Sequence, residues 1–464
     1  MSDRHKKAVS VYAVLLGAVW IFAAGSWGLD WPQYQGPQRD NVLREEGLLE
    51  KFPDAGLKLL WSTPIATGYS GPAVADGRVY LMDRLSTEGL PTQERPNSGR
   101  RHERDGLERV LCLDADSGEM IWEHRYSSYY KISYPSGPRV APTVDGDRVY
   151  TISAMGDIRC LDAAKGDLVW SKDLPKEFGC KAPIWGFGGC LLVDGDLLIS
   201  LGGGDGRAVM AFNKHTGEEV WRALSSMEGG YCGPMIHEIG GKRQMLVWNP
   251  TALSGLDPQT GDVFWSVPFE VGLGMSITPP AQQGNRLVVS GQFCGAMLAE
   301  VADDSSSAKV VWKHSDGGRG RRGPDSLGFN TVMSTVFYRG DYIYGISTFG
   351  TLVCIDANTA RAQWETMEFT NPEPSQRLKW CSAWMYPRGD RDWLFNEHGE
   401  LIIMELSPEG FQEISRTKII EPDMPADGRG HRMVVWSPPA FAKRKIYVRN
   451  DSEIRCLSID AENY

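Results

Sequence analysis

The chain has 464 residues, and its 59 acidic against 49 basic residues give a net charge of −10. Hydrophobic residues make up 42% and charged residues 23%, with 52 glycines and 27 prolines, so the composition excludes long-range disorder, collagen, a coiled coil and a multi-span membrane protein. Nucleic acid is a poor partner for an acidic chain, because phosphate binding requires a basic surface.

The N-terminus has the pattern of an export signal. Four basic residues at 4–7 precede a stretch without charge at 8–29, whose apolar part at 8–24 ends in small residues. This apolar part is 17 residues long, close to the roughly 20 that span a bilayer. Cleavage of the leader and its retention as a membrane anchor therefore both remain open. The expected location is the periplasm or a membrane-anchored place in the cell envelope.

The nine cysteines form no CxxC pair and no adjacent pair, which disfavours a zinc ribbon or attached haem. Cys180 and Cys190 are the best candidates for a disulfide bridge, because they are close in sequence. Four others share one repeat phase and are predicted to be small buried hydrophobic residues: Cys112, Cys160, Cys354 and Cys456.

An internal repeat of about 50 residues dominates the remainder of the chain. Each copy opens with a short strand that often contains proline, and continues through a turn such as Asp76-Gly77, which favours a hairpin. The copy then ends in a strand, a turn and a tryptophan. In the regular copies Asp or Asn precedes Gly by four residues and Gly precedes Trp by four, as in Asp114, Gly118 and Trp122.

Eight such copies of about four strands each predict an all-β fold, an eight-bladed β-propeller of four-stranded antiparallel blades. The last copy supplies only three strands, whereas a spare strand ending at Trp61 precedes the first copy. We therefore expect this N-terminal strand to complete the last blade and close the ring. The predicted domains are a leader at 1–29, an N-terminal extension at 30–56 and the propeller at 57–464. Residues 86–107 are predicted to be a solvated loop of the first blade.

The run Cys-Leu-Asp-Ala-x-x-Gly-x-x-x-Trp, at 112–122 and 160–170, resembles the repeat of pyrroloquinoline-quinone (PQQ)-type propellers. The opening Trp-Pro-Gln-Tyr-Gln-Gly-Pro at 31–37 is similar to exported bacterial PQQ-like propeller proteins. The resemblance covers about residues 30–460 and implies an eight-bladed propeller of the superfamily that holds BamB-like scaffolds and quinoprotein dehydrogenases.

The same resemblance raises the question of a cofactor. Quinoprotein alcohol dehydrogenases bind PQQ with calcium on the propeller axis. Many share a ring formed by adjacent cysteines, which this sequence lacks, and none of their calcium or base positions can be matched here. PQQ with calcium therefore rests on family resemblance alone, no metal ligand is predicted, and the catalytic residues stay unknown.

Loops that precede the first strand of each blade gather around the axis of a propeller, where binding sites are usually built. Aromatic side chains with a few polar groups suit a flat cofactor or a peptide, although they also suit packing between blades. The candidate ligand-face residues in these loops are Tyr69, Arg139, Trp185, Tyr231, Asn330, Trp380, His431 and Trp436.

Two functions are consistent with this sequence. The first is an exported binding or scaffold protein, which engages a polypeptide or a small ligand on one propeller face. The second is a quinoprotein-like oxidoreductase with PQQ and a metal on the axis. The sequence favours the first and leaves the question of an enzyme open. Membrane association would come from residues 8–29.

Overall fold

The computed structural model describes residues 29–89, 101–314, 329–370, 380–426 and 432–464. Eight antiparallel four-stranded sheets follow one another in chain order, which confirms the predicted β-propeller. The first strands of neighbouring blades contact each other, so these strands surround the axis and the fourth strands form the rim. Within the described ranges, no helix has the length and apolar character needed to cross a membrane.

The first strand of the chain, β1 (Leu59–Pro64), belongs to the last blade. Blades 1 to 4 contain, in order, β2 (Ala73–Ala75), β3 (Arg78–Leu85), β4 (His102–Asp114) and β5 (Met120–Ile132); β6 (Thr143–Asp145), β7 (Arg148–Ile152), β8 (Asp157–Asp162) and β9 (Leu168–Asp173); β10 (Leu192–Asp194), β11 (Leu197–Leu201), β12 (Val209–Asn213) and β13 (Glu219–Ala223); β14 (Met235–Ile239), β15 (Lys242–Trp248), β16 (Ala252–Leu256) and β17 (Val263–Pro268).

Blades 5 to 8 contain β18 (Ala281–Gln283), β19 (Arg286–Gly291), β20 (Gly295–Val301) and β21 (Ala308–His314); β22 (Val336–Arg339), β23 (Tyr342–Ile346), β24 (Leu352–Asp356) and β25 (Arg361–Thr366); β26 (Ala383–Tyr386), β27 (Asp392–Asn396), β28 (Glu400–Ser407) and β29 (Gly410–Lys418); then, after the small pair β30 (Met424–Pro425) and β31 (Met433–Val434), β32 (Ala440–Ala442), β33 (Lys445–Arg449) and β34 (Glu453–Ser458). The helices are short: α1 (Leu174–Phe178) and the 3₁₀ turns Gly272–Gly274 and Ala461–Asn463.

A tryptophan on the fourth strand of one blade packs against the turn between the third and fourth strands of the next blade. Trp61 donates its indole N–H to the carbonyl oxygen of Ala115 at 3.1 Å. Its ring lies against Gly118, where an added Cβ would come within 2.5 Å of the ring, and this glycine has a φ of +73°. The repeat therefore needs glycine both for the turn and for the space beneath the indole.

The same hydrogen bond recurs at four other blade junctions, whereas Trp265 donates to Gln244 of its own blade. The indoles of Trp122 and Trp170 donate to Ala163 and Lys214 of the following blade, at 3.0 and 2.9 Å. Trp312 and Trp364 make the equivalent bonds to Ala357 and Ser407. The four cysteines of the repeat are buried between the blades without a bridge, as predicted. Cys180 and Cys190 are also free, so the structure does not form the bridge that proximity in sequence suggested.

Closure of the ring follows the predicted route. β1 pairs antiparallel with β34, with Trp61 opposite Cys456, and the last blade has the order β1-β34-β33-β32. One expectation was wrong: residues 102–107, assigned to a solvated loop, belong to β4 and extend the hairpin with β5. Charged residues on β4 concealed the strand, whereas Tyr126 and Tyr130 on β5 bury the inner side of this extension.

The fourth strands also protect the rim of the disc. In every blade the register shifts just before the tryptophan, or at the equivalent place in β29, which marks a β-bulge. A bulge interrupts the row of backbone groups that another strand would otherwise pair with. Neighbouring apolar side chains point outward here, such as Val220, which is 51% exposed.

The N-terminal extension runs across the axis. Trp31 and Val74 exchange two backbone hydrogen bonds at 2.8 Å, which places the start of the extension on blade 1. Arg39 then donates to the carbonyl oxygen of Leu191 on blade 3 at 2.7 Å. Asn41 contacts Thr335 on blade 6 at 3.2 Å, and later residues reach blades 7 and 8. In a ring of eight, blade 3 lies opposite blade 7 and next to the position opposite blade 6. The extension passes from blade 3 to blades 6 and 7, so it crosses the axis and closes the central channel.

The seam between blades 8 and 1 contains a buried carboxyl group. The backbone N–H of Gly68 donates to Asp451 at 3.2 Å. Burial raises the pKa of Asp451 to about 6; Arg449 opposes this increase and Asp423 adds to it. The contribution of this seam to the free energy of unfolding is therefore expected to depend on pH in the acidic range.

We expect Trp61→Ala to lower the free energy of unfolding by about 3 kcal/mol, because it removes a buried indole and its bond to the next blade. Leu60→Ala, on the same strand but 38% exposed, should change it by less than about 1 kcal/mol. Urea unfolding followed by circular dichroism measures both. Equal decreases in the free energy of unfolding of the two variants would contradict a specific role of the indole in closing the ring.

A second prediction concerns Asp451. Its pKa rises from 3.8 to about 6 on folding, so its contribution to stability is complete below pH 4 and is lost as the pH rises through 6. Asp451→Asn should remove this dependence. Between pH 4 and 7 the unfolding free energy of the wild type should fall by about 2 kcal/mol relative to this variant. Asp390→Asn, in an exposed turn, serves as the control, and parallel pH profiles for wild type and Asp451→Asn would refute the prediction.

Candidate functional site

Each blade presents two kinds of connection to the ends of the channel. The face formed by the loops before the first strands is called the loop face, and the opposite face, formed by the turns between first and second strands, is called the turn face. On the loop face, residues from all eight blades surround a cavity of about 230 Å³, which we call the axial cup. It is lined by Tyr34, Tyr69, Gly71, Tyr134, Arg139, Ala141, Trp185, Gly188, Cys190, Tyr231, Gly233, Met275, Ile277, Val332, Met333, Trp380, Trp384, Trp436 and Pro438.

The structure brings six of the eight predicted ligand-face residues together in this lining: Tyr69, Arg139, Trp185, Tyr231, Trp380 and Trp436. Asn330 is not part of the lining. Its side chain is 4% exposed, and its backbone carbonyl accepts the N–H of Thr348. His431 lies outside the described residues. That the six bind a ligand remains a proposal.

Aromatic pairs shape the wall of the axial cup. Trp185 and Tyr231 meet edge to face with centroids 6.0 Å apart, and the hydroxyl oxygen of Tyr231 accepts the backbone N–H of Trp185 at 3.4 Å. Tyr134 and Trp436 lie 6.0 Å apart. Because neighbouring loops hold each ring in place, the wall is largely preformed.

Arg139 is the charged residue of the described lining. Its guanidinium donates to the carbonyl oxygens of Trp185 at 2.7 Å and Ser133 at 2.9 Å, and also to those of Gly137 and Tyr134. The guanidinium lies 5.0 Å above the ring of Tyr69. Burial lowers the pKa of Arg139. Carbonyl dipoles and the ring face of Tyr69 thus stabilise this cation, and most of its N–H donors are already bonded to backbone carbonyl oxygens.

Two buried glutamates support the wall from behind. Glu108 accepts hydrogen bonds from the hydroxyl groups of Tyr126 and Tyr130, and Tyr130 in turn faces Arg139 at 6.0 Å. Glu397 accepts the indole N–H of Trp436 at 3.1 Å. Burial raises the pKa of both glutamates. Neither glutamate belongs to the lining of the axial cup, so the two carboxyl groups position the lining rather than face a ligand.

The N-terminal extension forms the floor of the axial cup. Tyr34 faces the cavity, and Arg39 is buried beneath it with its bond to blade 3. On the loop face, Trp185 and Trp380 are only half-buried, which leaves this end open. The axial cup is therefore a blind pocket. Sequence reasoning missed Tyr34, although the aromatic motif at 31–37 drew attention to this segment.

Two loops that contribute to the lining also carry exposed apolar side chains. Met227 and Leu273 precede the first strands of blades 4 and 5 and are 84% and 62% exposed. They belong to the same loops as the lining residues Tyr231 and Met275. Exposed apolar side chains next to a pocket are a feature of binding surfaces.

The lining does not fit PQQ with calcium. PQQ carries three carboxylates, whereas the described lining offers one cation whose donors are mostly occupied. Calcium takes six to eight oxygen ligands, many of them from carboxylates. The described residues contain no cluster of three or more histidine, cysteine or acidic side chains that could hold a metal. The volume of about 230 Å³ is also below the roughly 300–1,000 Å³ typical of cofactor-sized pockets.

Comparison with known proteins agrees with the architecture. The PQQ_2 family, described as outer membrane protein assembly factor BamB, matches residues 106–366, more than half of the chain. Outer membrane protein assembly factor BamB of Moranella endobia (strain PCIT) is 25% identical over 269 residues, or 54% of this chain. The match spans 64% of that relative, less than two thirds of its length.

Among solved structures, the computationally designed protein Ika8 has a TM-score of 0.51 at 9% identity, covering 87% of this chain and 100% of its own. BamB from Moraxella catarrhalis has a TM-score of 0.39 at 16% identity, with 87% and 99% covered. A europium-containing methanol dehydrogenase has 0.44 at 12% identity, with 92% and 98% covered. At these identities the similarity concerns the fold alone. From its repeats and the family match over more than half its length, the chain belongs to the PQQ-repeat propeller family described as outer membrane protein assembly factor BamB.

Proposed function

We propose that this protein is an exported scaffold of the cell envelope that binds polypeptide on its loop face. The observation that carries the proposal is the aromatic lining of the axial cup on that face, with exposed Met227 and Leu273 in the loops that carry the lining residues Tyr231 and Met275. A family whose description names outer membrane protein assembly supports the same role. The leader pattern at residues 1–29 supports export.

The chemistry of the loop face favours binding over catalysis. Arg139 is held by carbonyl oxygens, and the carboxyl groups of Glu108 and Glu397 are committed to supporting the wall. A general acid or base must reach the proton that it transfers. The described lining offers ring faces, thioethers and backbone instead, and these groups bind an apolar chain without reacting with it.

The binding test uses a labelled, reduced and carboxymethylated α-lactalbumin as a permanently unfolded chain, with fluorescence anisotropy as the readout. We expect saturable binding that the double variant Met227→Asp, Leu273→Asp weakens about tenfold, or about 1.4 kcal/mol. Val220→Asp, at a similarly exposed apolar position on the rim of the disc, is the matched control. A loss of the same size in the control, or no binding by the wild type, would rule out the loop face as the polypeptide site.

A second measurement addresses the oxidoreductase alternative. Absorbance titration with PQQ and Ca²⁺ should show no saturable binding, because the described lining has neither free cations for the three carboxylates nor a calcium site. Saturable binding that is lost in Arg139→Ala but retained in Arg159→Ala, an arginine outside the axial cup, would favour the quinoprotein function instead.

A further inference from the structure

The size of the axial cup limits what it can hold. A cavity of about 230 Å³ has room for several waters, which each occupy about 30 Å³ of liquid, but falls below the range of cofactor pockets. Tyr34 and the buried Arg39 close it on the turn-face side. A chain therefore cannot thread through the channel at this point. The dimensions suit a single bulky group that enters from the loop face.

The groups that line the axial cup favour an aromatic group over an aliphatic one. Ring edges and faces such as those of Trp185 and Tyr231 gain energy from edge-to-face contact with another ring, about 0.5–1.5 kcal/mol beyond burial. The thioethers of Met275 and Met333 also favour ring contacts. The guanidinium of Arg139, already above one ring, adds a cation–π partner.

Backbone strain is concentrated at the same place. Tyr134 and Trp380 both line the axial cup and both have left-handed backbones, with φ of +54° and +61°. A bulky residue in this region costs about 1 kcal/mol or more, and such strain clusters at binding sites. The ring of Trp380 is held 6.5 Å from Phe293. Both backbones thus keep their rings turned toward the cavity.

We infer that the axial cup is a socket for one aromatic side chain, tryptophan or phenylalanine, of a bound polypeptide. The rest of that polypeptide lies on the apolar rim formed by Met227 and Leu273. This inference rests on the proposed function and specifies which residue type anchors the polypeptide.

The test compares two otherwise identical Gly/Ser-rich peptides with a single central Trp or Ala, by isothermal titration calorimetry on the full chain. We expect the Trp peptide to bind at least tenfold more tightly. Trp185→Ala should remove most of this preference. Trp364→Ala, a half-buried tryptophan between two blades on the rim, should retain it. Equal affinities for the two peptides would overturn the socket and leave polypeptide binding on the loop face intact.

A filled pocket provides the independent variant. Ala141 lines the axial cup and is 4% exposed, so Ala141→Leu should occupy part of the volume. N-acetyl-tryptophanamide is a single capped tryptophan, so it tests binding in the axial cup without contacts to Met227 and Leu273. We expect saturable binding of this probe to the wild type and its loss in Ala141→Leu at an unchanged melting temperature. This result would show that the axial cup takes an aromatic group, whatever the outcome of the unfolded-chain test. Unaltered binding of this probe to a folded Ala141→Leu variant would overturn the socket.

Discussion

The contact on which this propeller depends is the indole of one blade seated on the glycine turn of the next. Three features of the repeat meet in this contact. The glycine allows the left-handed turn, its missing side chain leaves room for the ring, and the carbonyl beside the turn accepts the indole N–H. Each blade is incomplete without its neighbour, so the first strand must return to the last blade.

That constraint explains the position of the site. Because the ring is held together between its blades, the loops on one face can carry the aromatic residues that line the axial cup. Trp436 combines a structural contact with a place in the lining. Its indole N–H donates to Glu397, while its ring faces the cavity. The chain adds a floor from its own N-terminus, which converts an open channel into a pocket.

Much of this arrangement was accessible from the sequence because it repeats. Eight copies of one pattern predicted the blades, and the phase of Trp61 predicted the closure. Loops before the first strands gave six residues of the lining. Features that occur once were not predictable: Tyr34 and Arg39 lie in a segment without regular structure, and their place on the axis depends on contacts with residues 150 or more positions away. The extended strand β4 was missed because its alternation is hidden by charge.

The course of the N-terminal extension also sets an orientation. Leu29 and Asp30 lie beside the turns at Lys443 and Asp76, which belong to the turn face. At Leu29 the chain therefore enters the propeller on the face opposite the mouth of the axial cup, so the extension covers one end of the channel and leaves the other end exposed.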